Sequence, residues 1–77
     1  MVIKLNTYTE GDRHLIGYIT KGIAIKENIS VSEAFKYIDE SFFFELLEEH
    51  SIFVHHEDPD KWIRNLIKVY RRDRGGV

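Results

Sequence analysis

The sequence predicts a small all-α domain of three to four helices, with an extended arm at the N-terminus and an extended connector before the last helix. Three observations carry this. Apolar residues recur at spacings of three and four over most of the chain, the period of helices buried along one side. Threonine, serine or aspartate stands at the start of each periodic segment, where a helix N-terminus needs a side-chain acceptor. The β-prone stretches, residues 2–5 and 52–54, are too few and too short to pair into a sheet. Seventy-seven residues make one domain, 1–77, whose small size keeps its core marginal.

Residues 1–8 carry Val2, Ile3, Leu5 and Tyr8 and are expected as an arm packed on the helices; in a dimer the arm can instead pair with its copy. Thr9 opens the first helix. With Asp12 it resembles a capping box with a shortened acid, and Glu10 and Asp12 place negative charge where the helix dipole favours it. Leu15, Ile19 and Ile23 form the inner stripe, widened by Ile16 and Ala24. Gly17 and Gly22 each weaken a helix by about 1 kcal/mol relative to alanine and mark close helix approach, on different faces. Asn28 suits a left-handed helix end.

Ser30 and Glu33 match a capping box for the second helix, which turns Ala34, Phe35 and Ile38 inward and stops near Asp39 and Glu40. Ser41 caps the third. Phe42, Phe43, Leu46 and Leu47 form its inner stripe, Phe44 lies off the centre of that stripe, and Glu45, Glu48 and Glu49 fill the opposite side. Residues 51–58, SIFVHHED, are the expected extended connector. Asp58 followed by Pro59 is an N-cap and a first-turn proline for the last helix. Trp62, Ile63, Leu66, Ile67 and Tyr70 face inward there; residues 73–77 are expected to fray.

Charge is unevenly spread. Residues 27–60 hold ten acidic groups against the single base Lys36, whereas residues 61–77 hold six basic groups against Asp73. The opposite ends can attract within one chain or between two. There is no cysteine to form a disulfide or a thiolate metal site. No apolar run approaches the roughly 18 residues of a membrane span, and the start turns polar too soon for a secretory signal. The expected location is the cytoplasm, with no membrane partner.

The residues offer four kinds of chemistry. His50, His55 and His56 stand close to Glu57 and Asp58 and are weak candidates for a metal site; their spacing matches no zinc pattern, and no metal or other cofactor is expected. Carboxylates are plentiful but fall on outer helix faces, and no nucleophile or phosphate loop accompanies them, so the chain is not expected to be an enzyme. Lys61, Arg64, Lys68, Arg71 and Arg72 line the outer face of the last helix and suit a phosphate backbone. Phe44 with Glu45, Glu48 and Glu49 forms an acidic, partly aromatic edge, wrong for DNA and suited to a protein.

The order of features (a helix ending in KEN, then ISVSEAFKYI, FFFELLEEH, a histidine pair and a closing amphipathic helix) resembles a family of small uncharacterised bacterial all-helical domains over residues 15–70. Members of that family are often encoded beside toxins similar to ADP-ribosyltransferases, and no functional residue is established for them. The resemblance implies an accessory or antitoxin-like role. The expected function is therefore a non-enzymatic bacterial protein-interaction module acting through the Phe44 edge on a protein partner, with homo-oligomerisation open. The alternative is a small nucleic-acid-binding regulator using the basic last helix.

Overall fold

The computed structural model describes residues 8–75; the expected arm, apart from Tyr8, and the last two residues lie outside the described residues. Five helices and no strand occur among the described residues: α1 (Glu10–Glu27), α2 (Val31–Asp39), α3 (Phe43–Glu49), α4 (Ser51–His56) and α5 (Pro59–Gly75). The all-α class is as expected from the sequence.

The helix ends follow local chemistry, with one correction: α3 begins from Phe42, which has no side-chain cap, and Ser41, expected as that cap, stands one residue earlier. Thr9 Oγ1 accepts from the Asp12 amide at 3.0 Å, and Asp12 Oδ2 accepts from the Thr9 amide at 3.1 Å, completing the capping box. Asn28 ends α1 in the left-handed region at φ 56°. Ser30 Oγ accepts from the Glu33 amide at 3.1 Å to open α2. Ser41 Oγ accepts from the Phe43 amide at 3.0 Å, and Asp58 Oδ1 from the Asp60 amide at 3.0 Å, at the starts of α3 and α5.

The long helices α1 and α5 pack side by side. Tyr18, at the middle of α1, donates to Asp60 at the start of α5 at 3.0 Å, and Arg71 donates to Glu27 toward the C-terminal ends of both, so the two run parallel. Between these ties the helices nearly touch: a Cβ at Gly22 would lie 2.3 Å from Ile63 Cδ1 and 3.1 Å from its Cγ1. Gly22 is therefore the close approach expected from the sequence, while Gly17 faces open space. Helix α2 folds back on α1 and buries Ala34, Tyr37 and Ile38. Tyr37 stacks on Tyr70 with ring centroids 3.9 Å apart and donates to Glu27, joining α2, α5 and the end of α1 in one knot.

Phe43, Ile19, Ile23, Ile38, Leu66 and Val54 are the largest fully buried side chains. Trp62 closes the core from α5. Its indole Nε1 donates to the Val54 carbonyl at 3.2 Å, and its ring meets Phe43 and Phe53 edge-on at 5.2 and 6.3 Å.

Three sequence expectations need correction. The connector is not extended: residues 51–56 form α4, raising the helix number from three or four to five. The β-branched Ile52 and Val54 lower helix propensity by only a few tenths of a kcal/mol, which burial of Val54 and the Trp62 bond outweigh. The phenylalanines of α3 exchange places: Phe42 precedes the helix and is 48 % exposed, whereas Phe44 is 7 % exposed, packed on Tyr8, Phe35 and Phe43. Helix α5 continues to Gly75, into the stretch expected to fray.

The two glycines of α1 should respond oppositely to added side chains. Gly17→Ala is expected to raise stability by about 0.5–1 kcal/mol, the ordinary propensity gain in open space. Gly22→Val is expected to lower it by about 1–3 kcal/mol through overpacking on Ile63. Urea denaturation followed by circular dichroism distinguishes the two.

Candidate functional site

Helices α3 and α4 form a kinked pair. The amides of Leu46, His50 and Val54 donate to the carbonyls of Phe42, Leu46 and His50 in turn, so hydrogen bonding runs through the junction; His50 itself, at φ −136° and ψ 52°, makes the kink. In α4 Val54 enters the core while Ile52 and Phe53, the two residues before it, stay 77 % and 53 % exposed. With Phe42 they give this segment three exposed large apolar side chains. Glu45 and Glu49 stand exposed on α3 beside them in sequence, and no ion pair neutralises either among the described residues. One buried carboxylate oxygen at the α2–α3 corner, Asp39 Oδ1, also lacks a hydrogen-bond partner among the described residues.

The expected Phe44 edge thus divides. Phe44 belongs to the core and cannot contact a partner, which corrects its assignment as a binding residue. Glu48 is engaged within the chain: it accepts from the Tyr8 hydroxyl at 2.7 Å. Burial first, and then the Glu48 carboxylate, push the Tyr8 phenol up to about 12. Glu45 and Glu49 keep their expected exposure. Sequence reasoning missed Ile52 and Phe53 as surface residues. The available signal was the connector's length: three consecutive apolar residues in one short helix cannot all face one core.

The histidines are separated by the fold. His50 sits at the kink, His56 is exposed at the end of α4, and His55 turns to α1, where its Nε2 donates to Asp12 Oδ1 at 2.6 Å. No group of three histidine, aspartate or glutamate side chains is placed to hold a metal among the described residues. Instead the His55 bond fastens α4 to the capped start of α1. Burial alone would push the Asp12 carboxyl up; the bonds from His55 and Thr9 outweigh it and hold that carboxyl below its ordinary value.

Of the five expected phosphate contacts, Lys61 lies 3.7 Å from Glu57, Arg71 pairs with Glu27 and Arg72 lies 4.0 Å from Asp73. Arg64 and Lys68 are exposed and form no ion pair among the described residues. Two depressions flank Gly17. One, of about 590 Å³, runs open to solvent along Glu10, His14, Tyr18 and Lys21. The other, of about 270 Å³, lies between α1 and α2 over Ile16, Val31 and Phe35 and is smaller than ordinary ligand pockets. Among the described residues no helix is long and apolar enough to cross a membrane.

Comparison of the chain with protein-family models, with curated proteins and with solved structures finds no match.

The Asp12 geometry has a definite pH signature. A carboxyl held low in the fold contributes stability above its unfolded pKa and loses it as pH falls through its folded value. Asp12→Ala is expected to cost about 2 kcal/mol at neutral pH, typical for hydrogen bonds to a charged group. That gap should close in acid, below the usual carboxylate range. Paired denaturation curves at neutral and acid pH measure it.

Proposed function

We propose that this chain is a non-enzymatic protein-interaction domain whose binding face is the outer side of α3 and α4: Phe42, Ile52 and Phe53 with Glu45 and Glu49. The observation that carries this reading is the exposure of Ile52 and Phe53 on a helix that is nonetheless pinned at both sides, by Trp62 to the Val54 carbonyl and by His55 to Asp12. A short helix held this firmly presents its apolar side chains in a fixed arrangement, which lowers the entropy lost on binding. The aromatic and aliphatic groups supply affinity, and the unpaired acids steer a basic partner toward them. The family resemblance supports an accessory or antitoxin-like role for such a face in a bacterial cell.

The nucleic-acid reading has less support. Three of its five cations already sit beside carboxylates, which reduces the charge offered to phosphate. The metal reading has less still, since His55 is committed to Asp12.

The test is affinity capture from native lysate with wild type, with Ile52→Ser/Phe53→Ser and with Glu45→Lys/Glu49→Lys. The captured partner is expected to be lost with the first variant and weakened with the second, while helicity stays unchanged. Retention of every captured protein by both variants sinks the proposal. Phe44→Ala serves as the contrast: it should cost about 3–5 kcal/mol of stability, as expected for a core phenylalanine, without acting selectively on binding.

A further inference from the structure

The parallel packing of α1 and α5 creates a second face whose chemistry is the converse of the first. On α5, Asp60, Arg64, Lys68 and Arg71 follow one another at spacings of four, four and three, so they form one stripe along the helix. The ends of that stripe touch α1, through Tyr18 to Asp60 and through Glu27 to Arg71. Arg64 and Lys68 therefore stand between two ties to α1, a hydrogen bond from the neutral Tyr18 hydroxyl to Asp60 and the Glu27–Arg71 ion pair. On α1, Tyr18, Lys21 and Ile25 share the outer side at spacings of three and four. Tyr18 is 54 % and Ile25 is 79 % exposed, and Lys21 is exposed with them. The seam thus offers cations around two exposed apolar groups. The α3–α4 face offers carboxylates around three.

We propose that these two faces bind each other between copies, so that the acidic α3–α4 face of one chain docks on the basic α1–α5 seam of the next. This rests on the α3–α4 binding reading above and assigns that face an occupant: a second copy of this chain. Charge complementarity selects it. The seam carries Lys21, Arg64 and Lys68 where the α3–α4 face carries Glu45 and Glu49, and each side pairs its charges with apolar anchors. A contact between two different patches is heterologous, so it propagates head to tail, closing into a ring or extending as a chain of copies. Its charges lie at the surface, so salt screens it.

Analytical ultracentrifugation of the full chain at low ionic strength is the test. Wild type should show a weight-average mass that rises above that of one chain between micromolar and millimolar concentration and falls back when salt is added. Glu45→Lys/Glu49→Lys should remain monomeric, and so should Arg64→Glu/Lys68→Glu, with circular dichroism confirming that both keep the wild-type helicity. Mixing the two variants should restore association, because each then meets its charge complement. A monomeric wild type throughout overturns the proposal, as does a dimer that survives the Arg64/Lys68 reversal, which would mean a symmetric contact through one face. Loss of a captured partner with Ile52→Ser/Phe53→Ser beside a monomeric wild type leaves the α3–α4 face standing and removes only the self-association.

Discussion

The close parallel contact of α1 with α5 at Gly22 and Ile63 sets the terms for everything between them. Two parallel neighbours cannot be joined by a tight turn. The chain leaves α1 at its C-terminal end and must come back to the level of Tyr18, about half the length of α1, before α5 can begin. At about 1.5 Å per residue that return, from Glu27 to Tyr18, is about 14 Å, which the nine-residue α2 matches. Helices α3 and α4 reach further, to the N-terminal end of α1, where Glu48 meets Tyr8 and His55 meets Asp12. The middle of the chain is broken into short helices because it has to turn as it travels. A single longer helix would overshoot the point where Tyr18 meets Asp60.

That constraint explains which parts of the fold were legible in the sequence. The caps were, because an N-cap is satisfied within three residues: Thr9 with Asp12, Ser30 with Glu33, Asp58 ahead of Pro59. Gly22 as a close approach was legible too, since glycine in a helix interior is costly without a packing reason. What could not be read locally depended on distant partners. Val54 became helical because Trp62, eight residues on, takes its carbonyl. Phe44 became core because Tyr8, from before α1, covers it. The stripe rule for α3 put Phe42 inside by periodicity alone, and periodicity does not know where a seven-residue helix begins. The same blindness affected the expected edge: Glu45, Glu48 and Glu49 are exposed as read, but Phe44 is buried and Phe42 is the exposed ring.

The uneven charge distribution persists in three dimensions. Among the described residues the acidic middle and the basic end meet as ion pairs at Glu27 with Arg71 and at Glu57 with Lys61. Glu45 and Glu49 on one side and Arg64 and Lys68 on the other remain unpaired among the described residues. Folding therefore leaves charges of both signs uncancelled on a molecule whose net charge is only −2.

The position of Trp62 has a practical consequence. It is the chain's single tryptophan, 6 % exposed, with Phe43 of α3 and Phe53 of α4 against its edges and its indole N–H on the α4 backbone. Its fluorescence emission thus reports on one junction of three helices and on nothing else in the molecule. Because Phe53 is half outside that junction, an event at the surface of α4 reaches the fluorophore through one ring. The protein carries its own optical probe, without a label, at the boundary between its interior and the exposed surface of α4.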